Sequence, residues 1–237
     1  MNLIQNRGVG INQAIPMETL RHAISILLQN RSLTRQEMLE IYDSFERGGN
    51  RLGKIKENAS RILLGTPKEV KALLQLIPVD AGKSLNTPEL NSLSIALSAL
   101  AFPSFYELLS FVAKQFKVQN LVSRASINQK MAAIYGNSRA TSLGIDAMIP
   151  MLVEAGFLQR VSLGKYSIGT LSFSLNSLVA EFWIRAEIIL THSRAILAEE
   201  LLHHPWNDFC PGVELALKAP KILKMETMVG NKVYIRL

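Results

Sequence analysis

Residues 127–168 read INQKMAAIYGNSRATSLGIDAMIPMLVEAGFLQRVSLGKYSI, and they decide the fold. Ile127, Met131 and Ile134 recur at helical spacing, with Ser126 placed to cap a short helix from Ile127 to Tyr135. Gly136-Asn137-Ser138 suits a tight turn, because Gly and Asn tolerate left-handed backbone. A longer helix, Arg139 to Ala155, is expected to bury Leu143, Ile145, Met148, Ile149, Leu152 and Val153, and Gly156 ends it. Pro150 lies inside that helix, where it removes a hydrogen bond and favours a kink. Phe157 to Ser162 and Lys165 to Ile168 then read as two short strands joined at Leu163-Gly164.

Upstream, a helix from Ser104 to Phe116 is followed by a break, Lys117 to Ala125. Helix, short helix, turn, longer helix and hairpin is the order of a winged helix-turn-helix. A helix of about 10–12 Å diameter fits a DNA major groove of about 12 Å. In such a unit the start of the second helix reaches base edges and the wing meets the phosphate backbone. The expected DNA-contacting residues are Ser138, Arg139, Thr141 and Ser142, with Asp146 also exposed on that helix; Arg160 and Lys165 lie on the wing, and Arg124 and Lys130 are placed for phosphates. The single basic residue on the second helix and the acidic Asp146 weigh against this reading. Winged helices also serve protein–protein contact.

The flanks read as helical on the N-terminal side. Pro16 opens a helix whose Leu20, Ile24, Leu27 and Leu28 share a face. Thr34 and Glu37 form a capping-box signature for a second, expected to stop at Gly48-Gly49. Two more helices follow, Arg51 to Leu64 and one opened by Thr66-Pro67 and closed at Pro78. Arg51, Lys54, Lys56, Arg61, Lys68 and Lys71 make this the densest basic segment, which suits a solvated helix face as well as a phosphate-facing patch. Val79 to Pro88 reads as a loop. Its Gly82-Lys83-Ser84 is not a P-loop, because the glycine required five residues earlier is Ile77. Further helices are expected at Glu89 to Leu100 and Ser104 to Phe116.

On the C-terminal side, Leu171 to Leu202 reads as one long helix or a bent pair. His203 and His204 point in different directions and lack further ligands, so no metal is expected, and a helix C-terminus explains them. Ile222 to Val229 and Val233 to Leu237 flank Gly230-Asn231 as a basic hairpin: a second wing, a dimerisation ribbon or a phosphate-contacting arm. Cys210, the only cysteine, allows no internal disulfide and reads as buried and inert.

The whole chain is expected to be mainly α: a helical N-terminal region over 1–100, a central winged helix-turn-helix over 101–170, and a C-terminal helix with a β-hairpin over 171–237. With 237 residues, 48 % hydrophobic, it has material for a sizeable core, and a net charge of +7 favours polyanions. The apolar run Leu93 to Ala113 reads as two buried helices broken at Pro103 rather than a membrane span. No secretory signal is evident, which suits the cytoplasm. Paired carboxylates, a catalytic triad, a metal cluster and a phosphate loop are all missing from the pattern, so neither catalysis nor a cofactor is expected.

The Arg61-Ile62 helix, the helix led by Pro103-Ser104-Phe105-Tyr106-Glu107-Leu108, and the Leu152-Val153-Glu154-Ala155-Gly156-Phe157-Leu158 junction carry a resemblance. Over residues 50–160 the layout resembles BrxA, a small DNA-binding component of BREX phage-defence systems. The resemblance implies a non-enzymatic role on double-stranded DNA in bacterial defence. The alternative is an adaptor whose winged helix and C-terminal helix dock a protein partner or form a homodimer.

Overall fold

The computed structural model describes residues 8–45, 49–169, 176–228 and 232–237. Twelve α-helices and two small antiparallel sheets make up the described residues, so the fold is mainly helical.

The N-terminal region holds α1 (Met17–Asn30), α2 (Arg35–Phe45), α3 (Gly49–Leu63), α4 (Pro67–Leu76), α5 (Val79–Ser84) and α6 (Thr87–Ala101). α1 buries Leu20, Ala23, Ile24, Leu27 and Leu28, the face expected from their spacing. It ends without a glycine: Arg31 adopts φ 61° and its guanidinium donates to the carbonyls of Leu74 and Ile77 at the end of α4. The Thr34–Glu37 capping box forms in both directions at the start of α2. One expectation fails here: the segment read as a loop contains α5. Gly49 already belongs to α3, and residues 46–48, which include the Gly48 expected to stop α2, lie outside the described residues.

α6 is the central rod. Every residue from Asn91 to Ala99 is buried, against α1 and α3 on one side and later helices on the other. Its serines pay little for burial, because Ser92, Ser94 and Ser98 each donate to the carbonyl four residues back. After Pro103 the chain turns by 118° into α7 (Ser104–Phe116). No single helix among the described residues is long and apolar enough to cross a membrane.

From α7 onward one arrangement occurs twice. The first copy runs α7, β1 (Val122–Ser123), α8 (Arg124–Tyr135), α9 (Arg139–Glu154), β2 (Leu158–Ser162) and β3 (Lys165–Ile168), with strand order β1-β3-β2. The second runs α10 (Ser177–Leu190), β4 (Ile196–Leu197), α11 (Ala198–His203), a 3-10 turn (Pro205–Phe209), α12 (Val213–Lys218), β5 (Lys224–Met228) and β6 (Lys232–Arg236), with order β4-β6-β5. Of the two readings of Leu171 to Leu202, one long helix or a bent pair, the described residues form two helices, α10 and α11, separated by the short strand β4. His192, at φ 54°, turns the chain where no glycine signals it. β5 and β6 pair as the expected C-terminal hairpin, and its expected Gly230-Asn231 turn lies outside the described residues. Residues 171–175, at the start of the Leu171 to Leu202 stretch, also lie outside the described residues.

The two copies and the N-terminal helices share one continuous core, from Val9 to Ile235. Trp183 of α10 stacks on Trp206 at 4.0 Å, and each indole N–H donates to the other's backbone carbonyl. Phe157 from the first copy stacks on Trp183, and Tyr106 of α7 tilts against Trp206. Lys117 adds an ion pair to Asp208 at 3.2 Å. The N-terminal segment is sewn to the first copy as well: Ser104 Oγ donates to the Val9 carbonyl, and Met17 N donates to Glu154. Val9 packs so closely on Gly144 of α9 that a Cβ there would meet its Cγ1 at 2.1 Å.

Candidate nucleic-acid interface

The turn between α8 and α9 is built by its own hydrogen bonds. Gly136, at φ 83°, closes α8 through its N–H to the Ala132 carbonyl. Ser138 caps α9, its Oγ accepting from Thr141 N at 3.2 Å. The Thr141 hydroxyl donates to the Gly136 carbonyl at 2.7 Å. Ser138, Arg139, Ala140, Ser142 and Leu143 are left exposed on the first turn of α9.

Of the expected contact residues, Ser138, Arg139 and Ser142 lie together on this exposed turn, and Lys130 is exposed on α8. Arg160 and Lys165 are exposed on the β2–β3 hairpin. Thr141 is a correction: it is 4 % exposed and its hydroxyl is used inside the turn, because the third residue of a capped helix faces the cap. Leu143, expected in the core, is 38 % exposed. The cap of α8 is Ser123, whose Oγ accepts from Ser126 N, so that helix begins at Arg124.

Arg124 is the second correction. Its guanidinium bonds Asp146 of α9 at 2.6 Å and Asn128 at 3.0 Å, and its backbone N–H donates to the Gly164 carbonyl at the hairpin tip. It ties α8, α9 and the hairpin together and is not free for phosphate. The same bond pairs the charge of Asp146, which remains exposed on α9. No feature of the sequence pairs these two residues, 22 positions apart.

Pro150 sits on the exposed side of α9, and the helix continues through it to Glu154. The exit follows the expected geometry: Gly156 is at φ 83°, and Phe157 N donates back to the Leu152 carbonyl. Gly169 packs against this turn so tightly that a Cβ would meet the Gly156 carbonyl oxygen at 1.8 Å. The hairpin is thereby fixed to the end of α9.

The basic segment of α3 and α4 is partly used within the protein. Lys56 pairs with Asp43, and Arg61 lies 4.4 Å over the Phe102 ring and donates to the Gly10 carbonyl. Lys54, Lys68 and Lys71 are exposed. Gly82-Lys83-Ser84 lies in α5.

In the second copy the histidine pair separates in role. His203 is exposed, whereas His204 bonds the buried Glu187 at 2.8 Å. Asn207 Nδ2 donates to the same carboxylate at 2.6 Å. The Glu187 bond is the main reason the His204 imidazole is held above its ordinary value of 6.5, with burial opposing it. Cys210 is buried, and burial pushes its thiol far above its ordinary value.

Comparison with family models, with curated proteins and with solved structures finds no match to this chain.

Proposed function

We propose that the chain is a non-enzymatic protein that binds double-stranded DNA through a winged helix-turn-helix formed by residues 104–168. The observation that carries this reading is the exposed row Ser138, Arg139 and Ser142 at the start of α9, with Arg160 and Lys165 exposed on the hairpin that follows this helix. The order helix, helix, turn, helix and hairpin, with a small antiparallel β1-β3-β2 sheet, supports this reading. The charge supports it too. Residues 104–168 carry seven basic side chains against three acidic ones, and one of each, Arg124 and Asp146, pair with one another. The role in phage defence implied by the BrxA resemblance belongs to this reading.

The test is a titration of random-sequence duplex at two salt concentrations. Among the described residues, Lys130, Arg139, Arg160 and Lys165 are exposed cations of this unit. If each meets a phosphate, the slope of log affinity on log salt is about −3 to −4. Lys165→Ala is expected to lower that slope by about one unit, and Arg139→Ala to relax sequence choice. No retention of duplex at low salt contradicts the proposal.

One observation favours a second reading, a protein-docking adaptor. Leu163 projects from the hairpin tip 93 % exposed, which suits an apolar partner better than a phosphate. That reading expects a stable stoichiometric protein partner and no retention on DNA.

A further inference from the structure

The repeated arrangement is close in its joints. Five residues separate the end of α7 from β1, and five separate the end of α10 from β4. In each copy a two-residue strand leads straight into the next helix. The chemistry of the two copies has diverged. Residues 177–237 carry seven basic and seven acidic side chains, against seven and three in the first copy. Where the first copy exposes Arg139 and Ser142, α12 exposes Glu214 and Leu215, and α11 exposes Glu199, Glu200 and Leu202. Together α11 and α12 expose two leucines and three carboxylates against Lys218 and His203, a balance less suited to a phosphate backbone than that of the first copy.

Between α11, α12 and the β5–β6 hairpin lies a cleft of about 270 Å³. Ala198, Leu202, Leu217, Met225 and Val233 form its apolar lining, and Glu199 and Glu214 stand with it. Lys218 in the lining pairs with Glu214 at 3.3 Å, so Glu199, Glu214 and Lys218 together leave the lining a net charge of −1. The matching occupant is an apolar side chain flanked by positive charge. The chain itself presents one: at the tip of the first copy's hairpin, Leu163 is 93 % and Val161 55 % exposed, between the exposed Arg160 and Lys165.

We propose that this cleft receives the β2–β3 hairpin tip of a second copy of the chain. Leu163 enters the apolar floor while Arg160 and Lys165 face Glu199 and Glu214. The contact joins two different surfaces, so it is heterologous and builds a ring or an open chain, unless two copies exchange hairpins reciprocally. A hairpin tip covers little area, so association is weak and depends on concentration. The inference does not rest on DNA binding, and its test contains no nucleic acid.

Sedimentation velocity over a hundredfold concentration range is the measurement. The expected result is reversible association that weakens with added salt. Leu163→Asp and Leu202→Lys each raise the dissociation constant about tenfold or more. Both residues are exposed, and unchanged circular-dichroism melts establish that the variants fold. The decisive arm mixes the two variants. Leu163→Asp keeps its cleft and Leu202→Lys keeps its hairpin, so together they are expected to form a one-to-one dimer that neither forms alone. A wild-type chain that stays monomeric throughout overturns the proposal. So does association untouched by both substitutions, or a mixture that fails to pair.

Discussion

Glu181 lies 2 % exposed on α10, and its carboxylate accepts the backbone N–H groups of Lys221, Ile222 and Leu223. Three donors ahead of β5 thereby find one acceptor, and the C-terminal hairpin is tied to the core. Hydrogen bonds to a charged group are worth more than neutral ones, so Glu181→Gln is expected to lower stability by about 2 kcal/mol, measured by urea unfolding. His204 gives a prediction with a sign. Its folded value is raised by Glu187, so the imidazolium stabilises the fold. That contribution is complete below 6.5 and is lost as pH rises through the folded value. The stability difference between wild type and His204→Gln should therefore shrink across that window; a constant difference would count against the assignment. Neither carboxylate was legible from the sequence, because Glu181 and Glu187 sit among apolar helical neighbours and their partners lie far along the chain. The same limit hid the Arg124–Asp146 pair. Arg139, Ser138 and Ser142 were legible because a turn followed by an N-cap determines which side chains the first helical turn exposes. Thr141 was misread because periodicity alone does not reveal a hydroxyl folded back on its own turn.

Elements with strong local signals read correctly: the Thr34–Glu37 box, the helix stop at Gly156, and both hairpins. β1 and β4 were missed because two residues carry no alternation to detect. A bent pair over Leu171 to Leu202 was one of two readings, but the place of the break was not legible, because Ile196 and Leu197 continue the apolar run and His192 turns the chain without a glycine. Ser138 is the element-scale test of α9. Ser138→Ala removes the acceptor for Thr141 N and should cost about 1 kcal/mol of stability by thermal or chemical unfolding. Gly144 tests the seam between α9 and the N-terminal segment. Gly144→Ala forces Val9 to move, and overpacking of this kind is expected to cost about 1–3 kcal/mol.

Across the whole molecule, the stacked pair Trp183 and Trp206, with Phe157 and Tyr106 beside it, joins the two copies in a core that continues into the N-terminal helices. Tryptophan fluorescence and far-ultraviolet circular dichroism should therefore report one coincident unfolding transition; two separated transitions would show that the copies are energetically independent. The three regions drawn from the sequence share this core, which composition could not reveal. On one scaffold the first copy faces outward with Arg139 and Ser142, and the second with Glu214 and Leu215. A photo-crosslinker placed at Ser142, and in a second variant at Leu215, tests this division most directly on duplex DNA. The account expects crosslinks from position 142 and none from position 215; crosslinks from 215 alone, or from neither, would contradict it.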